Sequence, residues 1–422
     1  MGEVTDPRDH RPAAPGGRDE TRFRLRDVAV TAYTPTLVSS IGYGAVTPML
    51  ALRARDLGAD VGTAAFVVSL LGLGMLIASL PAGALVARLG ERRTLLLGGF
   101  VDAAAMVAAA LATSVLAFGI AVMVSGMAWT SFLIARQGYL IEAVPASHRA
   151  RAMSTLGGTF RTGMFIGPLL GAALIHAFGL ASVFVLSGVL SVAAGLIAQL
   201  MPDLGVDSRA EQRDAGFASV WSVLRAHRRT LLTLGAAVVV ISASRSVRTG
   251  LLPLWADHIG LSASTTSLIF AGAAFIDIVM FYPGGWLMDR RGRSIVAVPI
   301  VLGVAIACLL LPLVSTATGL VAVLVLIAFA NGLGSGIVMT IGADTAPPVG
   351  RAQYLGGWRL CGDIGNTGGP LTVALVTLVA PLATACLVVG ALGLAGTAWV
   401  GYWTRRLDVA LADRVPVPVS RP

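Results

Sequence analysis

The sequence predicts an all-α membrane protein with twelve transmembrane helices, arranged as two pseudo-symmetric six-helix bundles. Three observations lead to this fold class: the composition, the distribution of arginine and an internal repeat. Of the 422 residues, 56% are hydrophobic and 13% are charged, and the mean hydropathy is +0.81. Soluble domains carry about 25% charged residues, so this chain has too little charge to cover its surface in water. Its long apolar runs therefore predict membrane spans.

Twelve apolar segments can be drawn along the chain, each close to the roughly 20 residues that a helix needs to cross a bilayer. They cover residues 28–52, 62–87, 94–113, 116–140, 152–176, 180–201, 230–255, 263–288, 295–314, 318–342, 352–378 and 382–404. Glycine and proline within these segments do not argue against spans, because membrane helices tolerate both.

The remaining segments divide the chain into domains. Residues 1–27 are polar and lack the apolar core of a signal peptide, which predicts a disordered cytoplasmic tail. The two bundles are expected at 28–201 and 230–405, with a cytoplasmic linker at 202–229 and a second cytoplasmic tail at 406–422. In the linker, Phe217, Val220, Trp221 and Leu224 share one helical face and predict an amphipathic helix along the membrane surface.

Arginine sets the expected orientation. All 31 basic residues are Arg; 24 of them fall in the tails and in the loops after even-numbered spans, and two, Arg53 and Arg55, fall on the other side. Under the positive-inside rule, both termini are cytoplasmic, and the protein is a multi-pass protein of the cell inner membrane. The arginines lie in short loops rather than on one face, which argues against nucleic acid as a partner.

An internal repeat relates the two halves. Ten positions recur with an offset of 202 residues: Pro81, Gly83, Arg88, Gly90, Glu142, Pro145, Arg149, Gly163, Gly167 and Pro168 match Pro283, Gly285, Arg290, Gly292, Asp344, Pro347, Arg351, Gly365, Gly369 and Pro370. Two copies in the same membrane orientation are typical of transporters whose bundles rock about a central site.

Two motifs within this repeat resemble those of the major facilitator superfamily. "GGWLMDRRGR" is similar to the family's loop 2–3 motif G-x-x-x-D-R-x-G-R in its second-half copy, and "GMFIGPLLG" at 163–171 resembles the span 5 motif of its proton-coupled antiporters. The first loop copy, "GALVARLGERR", departs from the motif because Ala87 replaces its Asp. The resemblance covers residues from about 28 to 405 and does not specify a solute.

The resemblance assigns gating roles to these motifs. The loop residues are Gly83, Arg88, Gly90, Gly285, Asp289, Arg290, Gly292 and Arg293, and the span 5 residues are Gly163, Gly167, Pro168 and Gly171. Asp289 can accept hydrogen bonds from backbone N–H groups or a neighbouring Arg, and these contacts are expected to hold one conformation and break in another. Plain anchoring of the loop on anionic lipid is the alternative. For span 5, a kink that seals the bundle and generic close packing both remain open.

Charged residues inside spans indicate a structural or functional role, because placing each one in the membrane costs at least about 2.5–3.5 kcal/mol of insertion free energy. Arg245 and Arg248 share one face of span 7, which lines the central cavity in the family, and they are candidate substrate-binding residues. An anion site, a charge that tunes a nearby carboxylate, and a structural ion pair with a neighbouring Asp all fit this position.

The proton-coupling candidates are Asp277, Asp363, Asp102 and Arg161, in that order for the three carboxylates. In the family, span 5 packs against span 8, so Arg161 is expected to meet Asp277. A carboxylate that exchanges an Arg partner for a proton is a workable coupling device. Arg359 and Asp363 are four residues apart on one helix and are expected to pair with each other. Arg136, near the end of span 4, is expected to snorkel toward the membrane surface.

The leading hypothesis is a secondary active transporter that exports small organic solutes or drugs in exchange for protons by alternating access. An importer or facilitator of a small solute, including an anion, is the alternative, and a solute-sensing membrane receptor is a hypothesis of another class. An enzyme is not expected, because no nucleophile, base or metal set converges. We expect no cofactor and no metal. The expected partners are the solute, protons and the lipid bilayer, for a monomeric protein.

Overall fold

The structure is a computed structural model that describes residues 25–144, 148–201, 217–334, 336–347 and 351–412. The predicted N-terminal tail up to residue 24, linker residues 202–216 and the C-terminal residues from 413 lie outside this described part. The same holds for the side chains of Ala87, Glu142, Arg149 and Arg351 and of linker residues 217–221, and for Pro145.

The N-terminal half contains six long helices. They are α1 (Leu25–Val46), α2 (Val61–Leu89), α3 (Glu91–Leu111), α4 (Val115–Ala143), α5 (Arg149–Phe178) and α6 (Ser182–Ile197). A 3₁₀ turn, Thr47–Met49, continues α1 into a short helix, Leu50–Asp56, and a second such turn, Ala198–Leu200, extends α6.

The C-terminal half repeats this arrangement. Its helices are α7 (Ala236–His258), α8 (Ala263–Arg291), α9 (Ser294–Leu310), α10 (Ala317–Leu333), α11 (Arg351–Thr377) and α12 (Leu382–Ala412). A helical turn, Arg228–Thr230, and a π-helical turn, Leu231–Gly235, lead into α7, and a short helix, Ile337–Thr345, follows α10. Two predicted bounds differ: the tenth span is interrupted near Gly334, and α12 runs to Ala412 rather than ending near 405.

Ten stretches in the described part are long and apolar enough to cross a membrane by length and composition. The helices outside that set are α1 and α11, and both carry polar residues along their length. They complete a set of twelve long helices, six in each half. A hydropathy criterion applied to the described residues therefore passes over two of the twelve helices.

The backbone follows the 202-residue repeat closely. Left-handed glycines end equivalent segments: Gly58 (φ 89°) corresponds to Gly260 (φ 77°), and Gly90 (φ 79°) to Gly292 (φ 95°). Side chains also cap equivalent helices, because Asp60, Ser262, Ser114 and Thr316 accept the backbone N–H groups of Thr63, Thr265, Ala117 and Gly319. An N-cap satisfies one of the free N–H groups at a helix start. The repeat is thus a repeat of helix ends as well as of sequence.

The hydrophobic cores show how the halves meet. We call the side of the membrane where α1 begins and α12 ends the terminal side, and the other the opposite side. Odd-numbered helices end, and even-numbered helices begin, on the opposite side. One core joins both halves there, from Ala45 in α1 to Val389 in α12. Toward the terminal side, each half has a core of its own, represented by Tyr139 in one and Tyr354 in the other.

Glycines bring α5 against α1 in the N-terminal half. A Cβ at Gly163 would lie 2.5 Å from the Cβ of Ser40, and one at Gly167 would lie 2.3 Å from the carbonyl oxygen of Ile41. The equivalent Gly365 approaches the carbonyl oxygen of Val239 in α7 at the same 2.3 Å. Close backbone approach through small residues is the usual way that membrane helices associate. The span 5 glycines therefore have a packing role, whatever further role the kink has.

The linker helix Phe217–Ala226 packs on the terminal-side end of α11. A Cβ at Gly357 would lie 2.1 Å from a methyl carbon of Leu224, and Val223 packs against the core of the C-terminal half. The helix predicted from the linker is present, and its described apolar side chains contact the protein.

Candidate functional site

A cavity of about 170 Å³ lies between the two halves. It is lined from α1, α5, α7, α8 and α10, so each half contributes to its walls. Three Arg side chains and one Asp line it: Arg161, Arg245, Arg248 and Asp277. Its apolar wall includes Phe160, Met164 and Phe270. The four residues that the sequence singled out in spans 5, 7 and 8 therefore converge on one space.

The closest charged contact in the cavity joins α7 to α8. Arg248 Nη1 donates to Asp277 Oδ2 at 2.6 Å, and the two side chains are 13% and 17% exposed. Arg248 also lies 5.7 Å from the ring centroid of Phe270. The other oxygen of Asp277, Oδ1, is buried without a hydrogen-bond partner. Breaking a buried pair by removing one partner typically costs about 3–5 kcal/mol, because the remaining charge is left uncompensated.

Arg161 and Arg245 have no carboxylate partner among the described residues. Arg161 lies over the ring of Phe281 at 4.9 Å rather than pairing with Asp277, so the predicted ion-pair partner of Asp277 was wrong. The reason is geometric, since α7 places Arg248 nearer to Asp277. Arg161 and Arg245 still interact electrostatically with Asp277 and with each other. With its one Asp ionised, the cavity lining carries an excess of two positive charges.

Arg136 in α4 adjoins the cavity through a shared aromatic ring. Its guanidinium lies 5.5 Å from the centroid of Trp129 and 5.6 Å from that of Phe160, which also lines the cavity. The residue is 6% exposed, and its Nε and Nη1 atoms have no hydrogen-bond partner. Tyr43 stacks on Trp129 with a centroid distance of 4.2 Å. Arg136 is thus enclosed by aromatic rings, and the prediction that it snorkels was wrong.

Asp363 lies at a different contact between the halves, where α11 meets α2. Ser79 Oγ donates to Asp363 Oδ2 at 2.6 Å, and Arg359 Nε lies 3.9 Å from the same oxygen. The predicted pairing of Arg359 with Asp363 is present at the outer limit of an ion pair. Asp363 is 6% exposed. This carboxylate belongs to the α2–α11 contact and does not line the central cavity.

Asp102 lies within the N-terminal bundle, away from the central cavity. Its two oxygens accept hydrogen bonds from Ser125 Oγ in α4 and Ser191 Oγ in α6, each at 2.5 Å. Two small spaces of about 10 Å³ each flank it. Its contacts tie three helices of one half together, which is a structural arrangement.

On the terminal side, the helices that meet across the halves diverge. A Cβ at Gly157 in α5, at Gly285 in α8, at Gly83 in α2 or at Gly356 in α11 would have no described atom within 4 Å. On the opposite side, the same helices touch: Ser267 Oγ in α8 donates to the carbonyl oxygen of Pro168 in α5 at 2.7 Å. The cavity is therefore closed on the opposite side, while the halves stand apart on the terminal side.

An ion pair between the halves lies on the closed side. Arg55 Nε lies 3.1 Å from Asp257 Oδ2, and the two side chains are 36% and 39% exposed. Arg55 Nη1 also donates to the carbonyl oxygen of Ala59 at 2.6 Å. A pair this exposed contributes about 0.2–1 kcal/mol, so the apolar core around it provides most of the closure.

The loop between α8 and α9 is anchored within the C-terminal half. Asp408 in α12 accepts the backbone N–H groups of Arg293 at 2.7 Å and Ser294 at 2.9 Å, and Arg293 Nε donates to Asp344 Oδ2 at 2.9 Å. A Cβ at Gly292 would lie 2.7 Å from the Asp408 carboxyl carbon, and its φ of 95° also favours glycine. Both constraints explain why glycine stands in the middle of "RRGRS".

The other three charged gating candidates of the loops lie on the surface. Asp289, Arg88 and Arg290 are exposed, and Arg290 lies 4.6 Å from the ring centroid of Trp286. Within the described residues, Asp289 has neither an ion pair nor a hydrogen-bond partner. The carboxylates that hold this loop are Asp344 and Asp408 instead. A role for Asp289 in another conformation stays a prediction.

Comparison with known proteins identifies the family. The family model described as "Major Facilitator Superfamily" matches residues 35–370 and 234–417. The chain belongs to the major facilitator superfamily. The prediction of a transporter rather than an enzyme is thereby confirmed, in the coarse form that leaves solute and direction open.

Relatives in sequence are transporters and resistance proteins of low identity. An uncharacterized MFS-type transporter of Methanocaldococcus jannaschii is 20% identical, over 79% of this chain and 86% of its own length. Multidrug resistance protein MdtG of Erwinia billingiae is 29% identical, over 40% of this chain and 42% of its own. Methyl viologen resistance protein SmvA of Salmonella typhimurium is 27% identical, over 54% of this chain and 43% of its own.

Solved structures share the fold. A POT family transporter in complex with a thioalcohol-conjugated peptide has a TM-score of 0.72 at 13% identity, covering 90% of this chain and 96% of that one. A D-xylose–proton symporter has a TM-score of 0.71 at 14% identity, covering 89% and 97%. These likenesses confirm the predicted twelve-helix, two-bundle fold class.

Several residues of the site could not be recognised from the sequence. Phe160, Phe270 and Ser79 gave no signal, because aromatic and small polar residues are common in membrane helices. Arg55 and Asp257, in contrast, are 202 residues apart and could have been found by extending the repeat to oppositely charged equivalents.

Proposed function

We propose that this protein is a proton-coupled secondary transporter, which moves a small organic solute through the central cavity by alternating access. Asp277 is the proton carrier. The observation that supports this most directly is the pair between Arg248 and Asp277, which lies at the wall of the cavity between the halves.

The pair supplies a coupling mechanism. When Asp277 is ionised, it neutralises Arg248 and holds α7 to α8 across the cavity wall. A proton on Asp277 removes the negative charge and frees the guanidinium to meet another group. Because intramembrane charges are costly when unpaired, this exchange changes which arrangement of the bundle is most stable. Proton binding thus biases the rocking of the halves.

The packing supports alternating access. The shared core on the opposite side and the separate cores on the terminal side correspond to one end state of such a cycle. The opposite end state would separate the first core and bring the terminal-side helices together. Gly157 and Gly356, where a Cβ would meet no described atom within 4 Å, leave room for that approach.

Two modes of transport are open: export in exchange for protons, and import or facilitated movement of an anion. A different observation favours each. Relatives named for multidrug and methyl viologen resistance favour export in exchange for protons. The excess positive charge of the cavity lining favours a carrier of a small anion, acting as an importer or facilitator.

We further propose that the terminal side faces the cytoplasm and that the protein is a monomer of the inner membrane. The asymmetry of arginine between the two sides supports this orientation. Labelling Arg405→Cys in intact cells with a membrane-impermeant maleimide tests it. Protection in intact cells and labelling after lysis support the orientation, and labelling in intact cells contradicts it.

The coupling proposal is tested in proteoliposomes with an imposed pH gradient. We expect solute accumulation by the wild type to follow the gradient and to collapse when a protonophore is added. Asp277→Asn should lose gradient-driven accumulation at least tenfold, while solute exchange without a gradient persists, since its cavity remains. Asp56→Asn is the control, because it removes an exposed carboxylate that lies outside the cavity lining.

Two results would contradict the coupling proposal. If accumulation of every solute in a chemically diverse panel ignores the gradient, the transport is not proton-coupled. If Asp277→Asn and Asp56→Asn remain equally responsive to the gradient, the proton is carried elsewhere.

A further inference from the structure

The charge of the central cavity narrows the chemistry of the solute. Arg161, Arg245 and Arg248 line it, with Asp277 as the single carboxylate of the described lining. Arg248 pairs with Asp277 at 2.6 Å, whereas Arg161 and Arg245 interact with each other and form no ion pair of their own among the described residues. A guanidinium remains charged under all physiological conditions, so this excess persists unless an anion enters.

A second observation extends the positive charge beyond the cavity. Arg136 is 6% exposed, has two nitrogens without hydrogen-bond partners, and lies against Phe160, whose ring lines the cavity. Arg136 also interacts unfavourably with the charge of Arg359 in the other half. Three guanidinium groups therefore line the cavity and a fourth lies behind Phe160, and Asp277 pairs with one of them.

The cavity also has an apolar part. Phe160, Met164 and Phe270 contribute to it, and the volume of the cavity is about 170 Å³. Guanidinium groups bind carboxylates, sulfonates and phosphonates through paired hydrogen bonds, and aromatic walls accommodate a planar apolar group. A cation would meet repulsion from two uncompensated charges.

The geometry points to an organic anion with an apolar body as the transported solute, bound at Arg161 and Arg245 together with a proton on Asp277. This inference rests on the proposed function, because it uses Asp277 as the proton carrier. It selects the second of the two modes of transport, the anion carrier. In this mode, the solute and the proton move in the same direction.

The sense of coupling follows from electrostatics. The groups that face Asp277 are Arg245 and Arg248 from α7 and Arg161 from α5, while α10 and the turn after α1 contribute the uncharged Asn331 and Thr47 to the same space. A proton on Asp277 raises the excess charge of the lining from two to three, which strengthens anion binding. By reciprocity, a bound anion strengthens proton binding by the same factor. An interaction over several ångströms in a partly solvated site corresponds to about a tenfold change.

The test uses probes that differ in charge and keep their charge over the accessible pH range. Benzenesulfonate and 1-naphthalenesulfonate are the anions, their sulfonamides are the neutral matches, and benzyltrimethylammonium is the cation. Binding to the purified full-length protein is measured by thermal stabilisation and by equilibrium titration at pH 5.5 and pH 7.5.

We expect at least one sulfonate to bind the wild type tenfold or more tightly than its sulfonamide, and the cation not to bind. Arg245→Gln should weaken sulfonate binding about tenfold, and Arg245→Lys, which keeps the charge but loses the paired hydrogen bonds, should weaken it less. Arg405→Gln, which removes an exposed charge in α12, is the control and should leave the Kd unchanged. At pH 7.5, Asp277→Asn should bind the sulfonate about tenfold more tightly than the wild type does.

Three results overturn the inference. Equal binding of sulfonates and sulfonamides, or tighter binding of the cation, excludes an anion site. A Kd in Arg245→Gln within twofold of the wild type, in a variant that elutes as a folded protein, excludes Arg245. Weaker sulfonate binding by Asp277→Asn excludes co-binding with a proton. Because these titrations need no gradient, they can fail while proton-driven transport holds, and the reverse is also true.

Discussion

Arg55 and Asp257 form an ion pair between the two halves. The two residues occupy equivalent positions of the repeat. Their side chains lie 3.1 Å apart, and their numbers differ by 202, the period of the repeat. Two equivalent positions that contact each other must lie near the pseudo-twofold axis between the copies, so opposite charges at these positions meet when the halves close. The repeat therefore determines which residues of the two halves meet on the opposite side.

The first prediction concerns this pair. Arg55→Gln should shift the protein toward the state that is open on the opposite side by about 0.2–1 kcal/mol, at most about fivefold in population, because the pair is half-exposed. A cysteine introduced at Gly157, where a side chain meets open space, reports terminal-side access through its rate of maleimide labelling. The labelling rate should fall in Arg55→Gln.

A charge swap is the control for this prediction. The double variant Arg55→Asp, Asp257→Arg should restore the labelling rate, since it rebuilds the pair with reversed polarity. Equal rates in the wild type and Arg55→Gln would mean that the apolar core alone sets the balance.

The second prediction concerns the close contact of α5 with α1. Gly167→Ala should lower the thermal stability of the purified protein, because its Cβ would lie 2.3 Å from the carbonyl oxygen of Ile41. Overpacking of this kind costs about 1–3 kcal/mol. Gly157→Ala is the matched control on the same helix, and it should leave the protein as stable or slightly more stable, since alanine favours a helix and meets no described atom within 4 Å. Similar losses in both variants would contradict the packing role of Gly167.

The third prediction concerns the cap on α9. Asp408→Ala should destabilise the protein by about 1–2 kcal/mol, because two backbone N–H groups at the start of α9 lose their acceptor. Asp289→Ala should change stability by less than about 0.5 kcal/mol, since that carboxylate is exposed. Unfolding midpoints of the purified variants provide the measurement. An effect of Asp289→Ala as large as that of Asp408→Ala would mean that Asp289, too, holds the loop.

The fourth prediction concerns Asp60, which caps α2 outside the membrane span. The backbone N–H of Thr63 donates to the Asp60 carboxylate at 2.6 Å and lowers its pKa below the usual value. A lowered pKa in the folded state means that the contribution to stability is present above the unfolded pKa and is lost as pH falls through the folded one. The difference in unfolding midpoint between the wild type and Asp60→Ala should therefore shrink as pH is lowered from 7 toward 3. A difference that stays constant over that range would show that the charge of Asp60 contributes nothing.

The sequence by itself determined the membrane class, the twelve helices and the repeat. These follow from local and periodic properties: an apolar run of sufficient length must span as a helix, and a helix end needs a cap or a glycine wherever it falls. Gly90 and Gly292, matched from their letters alone, are left-handed in the structure, as a turn between two spans requires. The sequence also selected Arg245, Arg248, Arg161 and Asp277, because charge at membrane depth is costly and therefore stands out.

Only the tertiary structure decided which of these charges are partners. Arg248 rather than Arg161 reaches Asp277, and Asp408 rather than Asp289 holds the loop after α8. Partner choice depends on the rotation and crossing of helices, where a shift of a few ångströms exchanges one ion pair for another, and no local pattern encodes that shift. The same packing left two guanidinium groups in the cavity without a carboxylate, and that charge imbalance is a property of the assembled space between the halves.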